Sequence, residues 1–182
     1  AHMLDVASAQ NINNYSIPGV TIISAKVTKN TKNEGATVVL TVADGSIEIS
    51  LDRPIKISGV KSYSGTYGPI SDFSTTVFLK DNKKPYFINY IYDKTKPNEI
   101  RLRFSEDIAG TMFVRVTNQS GAYSIEIGNT ITVSGSDVII TLSGTPINGS
   151  LLKVDIIENK ITDLSGNETT AMNTQFFIRV SY

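Results

Sequence analysis

The best-defined polar motif of this 182-residue chain is Asp163-Leu164-Ser165-Gly166-Asn167. An Asp carboxylate that accepts hydrogen bonds from nearby backbone N–H groups forms an Asx turn, and Gly adopts a positive φ at low cost. We therefore expect a structural turn that depends on Asp163, Gly166 and Asn167.

The alternative for this motif is a calcium site, since Ca²⁺ takes about 6–8 oxygen ligands in proteins. Glu106 and Asp107 follow a predicted strand and would add carboxylates if the end of that strand lies beside the motif. The acidic spacing of an EF-hand is absent, so the ligands would come from separate loops. Calcium is the only cofactor that the sequence suggests, with candidate ligands Glu106, Asp107 and Asp163.

Tyrosines form a second group of candidate residues. Tyr63 and Tyr67 lie among Ser, Gly and Thr in a predicted loop, where exposed rings could stack on a sugar or another ligand. Tyr86, Tyr90 and Tyr92 instead alternate along a predicted strand, so we expect their rings to fill a core or a domain interface.

The usual catalytic groups are missing from the sequence. It has no cysteine, and its one histidine is His2 in Ala1-His2-Met3, which we interpret as a remnant of cloning. Disulfides, thiolate nucleophiles and the commonest general base are thereby excluded. Glycoside hydrolysis needs two acids in a cleft, and a pair such as Glu106 and Asp163 on small sandwiches offers no obvious groove. We expect no enzyme.

The charge balance limits the partners. The chain has 17 basic and 17 acidic residues and a formal net charge of zero. Nucleic acid is not an expected partner, because little counterion release is available. No apolar run reaches the roughly 18 residues that a membrane span needs. A neutral chain also lowers the repulsion between copies, which favours lateral packing.

Period-two runs rich in Val, Ile and Thr occur along most of the chain, and helical periodicity is hard to find. Such runs, separated by turn signals such as Asp44-Gly45 and Asn148-Gly149, predict an all-β sandwich. The predicted strands are Val20–Thr28, Ala36–Val42, Pro54–Val60, Thr75–Leu79, Tyr86–Tyr92, Glu99–Phe104, Met112–Thr117, Tyr123–Ile127, Thr130–Val133, Asp137–Leu142, Leu151–Ile157 and Gln175–Val180.

The chain also repeats itself at an offset of about 100 residues. The run Val39–Val42 matches Ile139–Leu142, Ser64-Gly65 matches Ser165-Gly166, and Phe78 matches Phe177. The repeat predicts two tandem domains, residues 4–82 and 83–182. The polar stretch from Lys80 to Pro85 is the natural boundary, since proline cannot donate to a strand ladder.

The two repeats begin differently. Two predicted strands precede Ser105-Glu106 in the second domain, but none precedes Leu4-Asp5-Val6 in the first. We infer that the first domain lacks its opening strand or strands; the alternative is that the segment from Leu4 onward is a variant start of the domain. The missing edge would leave backbone groups unpaired and form a template for strand addition from another chain.

Two stretches resemble the bacterial immunoglobulin-like domains found in tandem in surface-layer (S-layer) proteins. The first is Glu99–Ile108, an alternating strand that ends in Phe-Ser-Glu, and the second is the Asp-x-x-Gly-Asn loop at Asp163 before the last strand. The segment Ala7–Ile17 looks like the one that follows the opening strand in this family. The corresponding loop of the first domain, Ser62–Thr66, departs from the pattern, because Ser62 stands where the family has Asp and Thr66 stands where it has Asn.

The resemblance implies two immunoglobulin-like β-sandwiches, the first lacking its opening strand. It also implies an extracellular location on a bacterial surface (S-layer or cell wall) and a structural role. The partners would be neighbouring domains of the same protein and copies of itself in a surface lattice. The alternative is an adhesin or carbohydrate-binding module of a secreted protein, with Tyr63 and Tyr67 as ligand contacts.

Overall fold

The computed structural model describes residues 3–63, 69–120 and 123–181. The chain divides into two compact units, unit 1 ending at Lys83 and unit 2 beginning at Lys84. Nearly all regular structure is β-strand, so the prediction of an all-β fold is confirmed.

Unit 1 opens with the four-residue helix α1 (Val6–Ala9) and a 3₁₀ turn (Ile12–Asn14). Five strands follow among its described residues: β1 (Tyr15–Ser16), β2 (Ile22–Thr31), β3 (Gly35–Val42), β4 (Leu51–Ile57) and β5 (Phe73–Leu79). They form a three-stranded antiparallel sheet of order β1-β4-β5 and a hairpin of β2 with β3.

The described part of unit 2 contains eight strands: β6 (Phe87–Tyr92), β7 (Glu99–Phe104), β8 (Ile108–Ser120), β9 (Tyr123–Ile127), β10 (Asn129–Ser134), β11 (Asp137–Leu142), β12 (Leu151–Asp163) and β13 (Gln175–Arg179). They form two four-stranded antiparallel sheets, of order β10-β11-β7-β6 and β13-β12-β8-β9. Most bounds agree with the predicted strands to within a few residues.

Alternate side chains of both sheets build the core of unit 2. On β7, Ile100, Leu102 and Phe104 are fully buried, while the charged residues between them face outward. Their buried partners in the core come from β8, β11, β12 and β13 and include Val114, Val116, Val138, Ile140, Leu152, Val154 and Ile178. The hydrophobic effect over these facing surfaces is the main force that holds the unit together.

The strands of unit 2 run between two opposite poles. At one pole Phe87 pairs with Phe104 and Ile108 pairs with Asp163, so β6 begins where β7 and β12 end. The other pole holds Arg179, at the end of β13, which pairs with Leu151. The chain therefore enters unit 2 at the Phe104 pole and leaves it at the Arg179 pole.

Unit 1 has a much smaller core. Ala9, Tyr15, Ala25 and Val60 are its clustered buried residues, with half-buried side chains around them. Helix α1 seals part of this core, and the Tyr15 hydroxyl donates to the Ala9 carbonyl oxygen at 2.7 Å. The helix begins at Asp5, whose carboxylate accepts from the Ser8 N–H at 2.8 Å as an N-cap.

Strand β4 differs from its prediction. It covers Leu51–Ile57, whereas the sequence predicts a strand at Pro54–Val60. On one side β4 pairs with the two residues of β1, Tyr15 and Ser16, only at Ile57 and Lys56. No described strand pairs with that side of β4 at Pro54, so the missing N–H of the proline costs no ladder bond there.

The sequence repeat recurs in the strand registers. Leu51 faces Leu79 in unit 1, and Leu152 faces Ile178 in unit 2. Leu152 follows Leu51 by 101 residues, and Ile178 follows Leu79 by 99. These are the offsets of the Ser64 and Phe78 matches. By this correspondence β3, β4 and β5 are the counterparts of β11, β12 and β13, while β6 and β7 have none among the described strands of unit 1.

Gly110 offers a test of the β8–β12 pairing. It lies in β8 opposite Ile161 with φ +104°, and a Cβ there would overlap the backbone carbonyl oxygen of Lys160. We expect Gly110→Ala to lower the free energy of unfolding by more than about 2 kcal/mol, from backbone strain and overlap together. Urea unfolding would measure the change. Gly144→Ala is the control, since a Cβ at Gly144 meets open space; equal losses would contradict this account.

Candidate functional site

The polar loops of unit 2 meet at the pole where the chain enters it. Glu106 follows the end of β7 by two residues, and Asp163 is the last residue of β12. Ile108, at the start of β8, pairs with Asp163 and so brings these loops together. A carboxylate oxygen of Glu106 and one of Asp163 lie within 4.8 Å of each other.

The Asp163 motif forms a closed turn. Asp163 Oδ1 accepts from the backbone N–H of Asn167 at 2.8 Å, and Oδ2 accepts from the Asn167 side-chain amide at 2.7 Å. The backbone adds two bonds, from Asp163 N to Asn167 O and from Gly166 N to Asp163 O. Gly166 has φ +87°, a region that favours glycine. Asp163 is only 3% exposed, and these bonds compensate for its burial.

The fit to calcium is partial within unit 2. Glu106 and Asp163 offer two carboxylates, and a carboxylate oxygen that accepts one hydrogen bond keeps a second lone pair for a cation. Asp107, the third candidate of this unit, is exposed, and its Oδ1 lies 3.6 Å from the position a Cβ would take at Gly135. It does not join the pair, and calcium stays a prediction.

Two further buried carboxylates, which the sequence analysis missed, lie on the outer faces of the sheets. Arg103 on β7 donates from Nε and Nη2 to the two oxygens of Asp137 on β11, at 2.8 and 2.9 Å. This bidentate pair lowers the pKa of Asp137, chiefly through the hydrogen bonds from Arg103, against the opposing effect of burial.

Asp155 on β12 is the second of these carboxylates. It lies between its two cross-strand neighbours, Arg115 on β8 and Gln175 on β13. Gln175 Nε2 donates to Asp155 Oδ1 at 2.8 Å, and this bond is the main reason that the pKa of Asp155 is lowered. Lys153 and Arg115 add ion pairs at 3.0 and 3.5 Å. Only the strand register, which the sequence does not reveal, identifies these partners.

The tyrosines lie in different surroundings. Tyr63 is 68% exposed, whereas Tyr67 lies outside the described residues. The expectation of a single buried face for the others is only partly met, because the register of β6 shifts between Phe87 and Asn89. Tyr92 is half-buried and donates to the Pro97 carbonyl oxygen at 2.8 Å, while Tyr90 is 41% exposed and stacks on Phe176 with ring centroids 5.3 Å apart.

One groove of unit 2 is lined mainly by polar residues. This groove has a volume of 470 Å³ and lies between β12 and residues 168–174. Asn159 donates to the Thr169 hydroxyl in it at 2.9 Å, and Lys160 and Glu168 are its ionisable residues. These groups can bind a polar ligand but do not form the carboxylate pair that glycoside hydrolysis needs.

Comparisons of the chain with protein-family models, with curated proteins and with solved structures found no match. None of the helices in the described part of the chain is both long and apolar enough to cross a membrane.

The Asp163 turn gives a stability prediction. We expect Asp163→Ala to lower the free energy of unfolding of unit 2 by about 1–3 kcal/mol, because it removes the buried carboxylate that accepts hydrogen bonds from the backbone N–H and the side-chain amide of the half-buried Asn167. Urea unfolding would measure it. Asp93→Ala is the matched control, since Asp93 makes similar turn bonds to Thr95 at an exposed site and should cost less. Equal costs would contradict the role of burial.

A different variant, Glu106→Gln, tests calcium at the Glu106–Asp163 pair. An ion bound there raises the Tm in calcium above the Tm in chelator, and Glu106→Gln removes that rise while leaving the Asn167 bonds intact. Equal Tm values in calcium and in chelator for the unaltered chain would reject calcium and leave the structural turn.

The Arg103–Asp137 pair predicts a pH dependence. A carboxyl whose pKa is lowered on folding contributes stability above its unfolded pKa of about 4 and loses it as pH falls through the folded value. We expect Asp137→Asn to cost about 1–2 kcal/mol at pH 7, allowing for the partial exposure of Arg103, and to flatten the loss of stability between about pH 5 and 2.

Urea unfolding across this pH range would test the pair, with Arg103→Gln and the double variant completing a double-mutant cycle. Each single variant should flatten the acid limb, and the double variant should add little further change. Additive effects of the two substitutions would show that the pair is not the cause.

Proposed function

We propose that the chain is a structural module of a bacterial cell-surface protein of the S-layer type, in which immunoglobulin-like domains follow one another as a rod. It would act outside the cell and without catalysis. Its partners would be neighbouring domains of the same protein and copies of itself in the surface array. The observation that carries the proposal is the strand topology of unit 2.

The strand order of unit 2 supports an immunoglobulin-like sandwich. If β6, β7 and β8 are lettered A, B and C, β9 is an additional strand C′, and β10 to β13 are D, E, F and G. The sheets then read A-B-E-D and C′-C-F-G. Immunoglobulin domains have A-B-E-D in one sheet and C-F-G in the other, with additional strands after C in some types.

The positions of the chain ends in unit 2 support a role in a tandem array. The chain enters at the pole of Phe87 and leaves at the pole of Arg179, and the strands run between them. A domain whose ends lie at opposite poles can be joined to others end to end, and each added domain then lengthens the array.

The outer faces of unit 2 support the part of the proposal that concerns packing between copies of the chain. Their charged residues are largely paired within the sheet, as Arg103 with Asp137 and Lys153 with Asp155. Together with the zero net charge of the chain, this pairing lowers the long-range repulsion between copies.

Antibodies raised against the purified chain would test the proposed location. Applied to intact cells of the source bacterium, they are expected to label the surface to the same extent as permeabilised cells, and electron microscopy should place the label on a regular array. Label that appears only after permeabilisation would reject the proposal. An antibody against a cytoplasmic protein of the same cells is the control for leakage.

The second candidate, a carbohydrate-binding module, is favoured by the 68% exposure of Tyr63. Binding of the chain to a cell-wall polysaccharide or on a glycan array, lost in Tyr63→Ala but kept in Tyr86→Ala, would favour this candidate over the structural one. Tyr86 is a suitable control because it is also exposed, at 47%, but lies outside the loop.

A further inference from the structure

We propose that unit 1 binds a β-hairpin of the β6–β7 type, which pairs with the free edge of β3 and covers the inner face of β5. The occupant is a separate segment with the chemistry of residues 85–105: two short antiparallel strands, the second alternating apolar and charged residues. This inference concerns unit 1 alone and stands apart from the proposed surface role.

The first observation is the open edge of β3. Val27 on β2 faces Val38 on β3, and the Val27 N–H donates to Gln10 Oε1 at 3.2 Å, away from β3. Facing residues of an antiparallel pair point their backbone groups either toward each other or away together. The N–H and C=O of Val38, and of Leu40 two residues on, therefore point away from β2. Among the described residues, no strand pairs with this side of β3.

The counterpart edge in unit 2 is occupied. Val138 and Ile140, 100 residues after Val38 and Leu40, pair with Leu102 and Ile100 of β7. The backbone N–H of Phe104 donates to the Ser136 carbonyl oxygen at 2.8 Å, so the N–H groups at alternate positions of β7 point toward β11. The edge of β11 that pairs with β7 thus has an equivalent on β3, with which no described strand pairs. The residues of the two edges are similar, Val39-Leu40-Thr41-Val42 on β3 and Ile139-Ile140-Thr141-Leu142 on β11.

The second observation is incomplete burial at the places that the hairpin would cover. Val38, Leu40 and Val42 are half-buried, whereas their counterparts Val138, Ile140 and Leu142 are buried. Leu51 is 39% exposed, whereas its counterpart Leu152 is completely buried.

The third observation concerns β5. In unit 2, Phe176 on β13 is covered by two aromatic rings of β6, Phe87 and Tyr90, at centroid distances of 6.5 and 5.3 Å. Its counterpart in unit 1 is Val77, which faces Arg53 as Phe176 faces Val154. On the same face of β5, Thr75 and Phe73 are exposed, Phe73 by 53%.

These observations lead to one occupant. An added strand satisfies the backbone groups of β3, as in recognition by β-strand addition, but a single strand leaves β5 uncovered. A hairpin with the geometry of β6–β7 reaches both places, because β7 pairs with β11 in one sheet while β6 packs on β13 of the other. The alternating apolar residues of its second strand would complete the core around Val38 and Leu40.

A synthetic peptide of residues 85–105 would be added to the full chain, with backbone amide hydrogen exchange as the readout. We expect saturable binding, and we expect the exchange rates of the Val38 and Leu40 amides, which point away from β2, to fall by about tenfold or more. The matched control is the same peptide N-methylated at Leu102. Its side chains are unchanged and its own hairpin bonds are retained, since the Leu102 N–H points toward the acceptor strand.

The outcomes are distinct. Protection of Val38 and Leu40 by the first peptide but not by the N-methylated one supports the proposal. No binding, equal protection by both peptides, or protection confined to β11 through displacement of the native hairpin would overturn it. A dimer of the chain that protects the same amides without peptide would show that a second copy takes the edge, which also overturns the proposed occupant.

Discussion

The pairing of β7 with β11 is the interaction on which unit 2 depends. It places Ile100, Leu102 and Phe104 in the middle of the core, and all three are inaccessible to solvent. The same pairing sets Arg103 opposite Asp137 on the outer face. A shift of one residue would move the apolar side chains into water and the arginines into the core, so burial on one face fixes the register for both. The described residues of unit 1 include no counterpart of β7, and the clustered core of that unit is correspondingly small.

Much of the fold could be predicted because alternation is local. Charged and apolar residues alternate along Glu99–Phe104. Among elements of that length, this pattern is typical only of a strand with one face buried in the core. Helix α1 escaped prediction because four residues carry no helical period, although Asp5 three residues before Ser8 is a recognisable cap. The prediction that Tyr86, Tyr90 and Tyr92 share one buried face was only partly met, since the register of β6 shifts after Phe87 and changes which side chains face the core.

The site could be predicted only as far as local turn chemistry reaches. Asp163, Gly166 and Asn167 lie within five residues, and the hydrogen-bonding capacity of an Asp with a following Gly was enough to predict their turn. The proximity of Glu106 to Asp163 instead depends on β8 pairing with β12, between segments more than 50 residues apart. The partners of Asp137 and Asp155 also depend on register, which is why neither carboxylate stood out in the sequence.

The entry and exit of unit 2 at opposite poles determine how tension would pass through it. Strand β6 starts at the Phe104 pole and β13 ends at the Arg179 pole, and each pairs with one of the described strands. A pull on the two ends acts along both strands, so the transverse backbone bonds to β7 and to β12 are loaded simultaneously in shear. They would have to break together, whereas bonds peeled from one end break in succession.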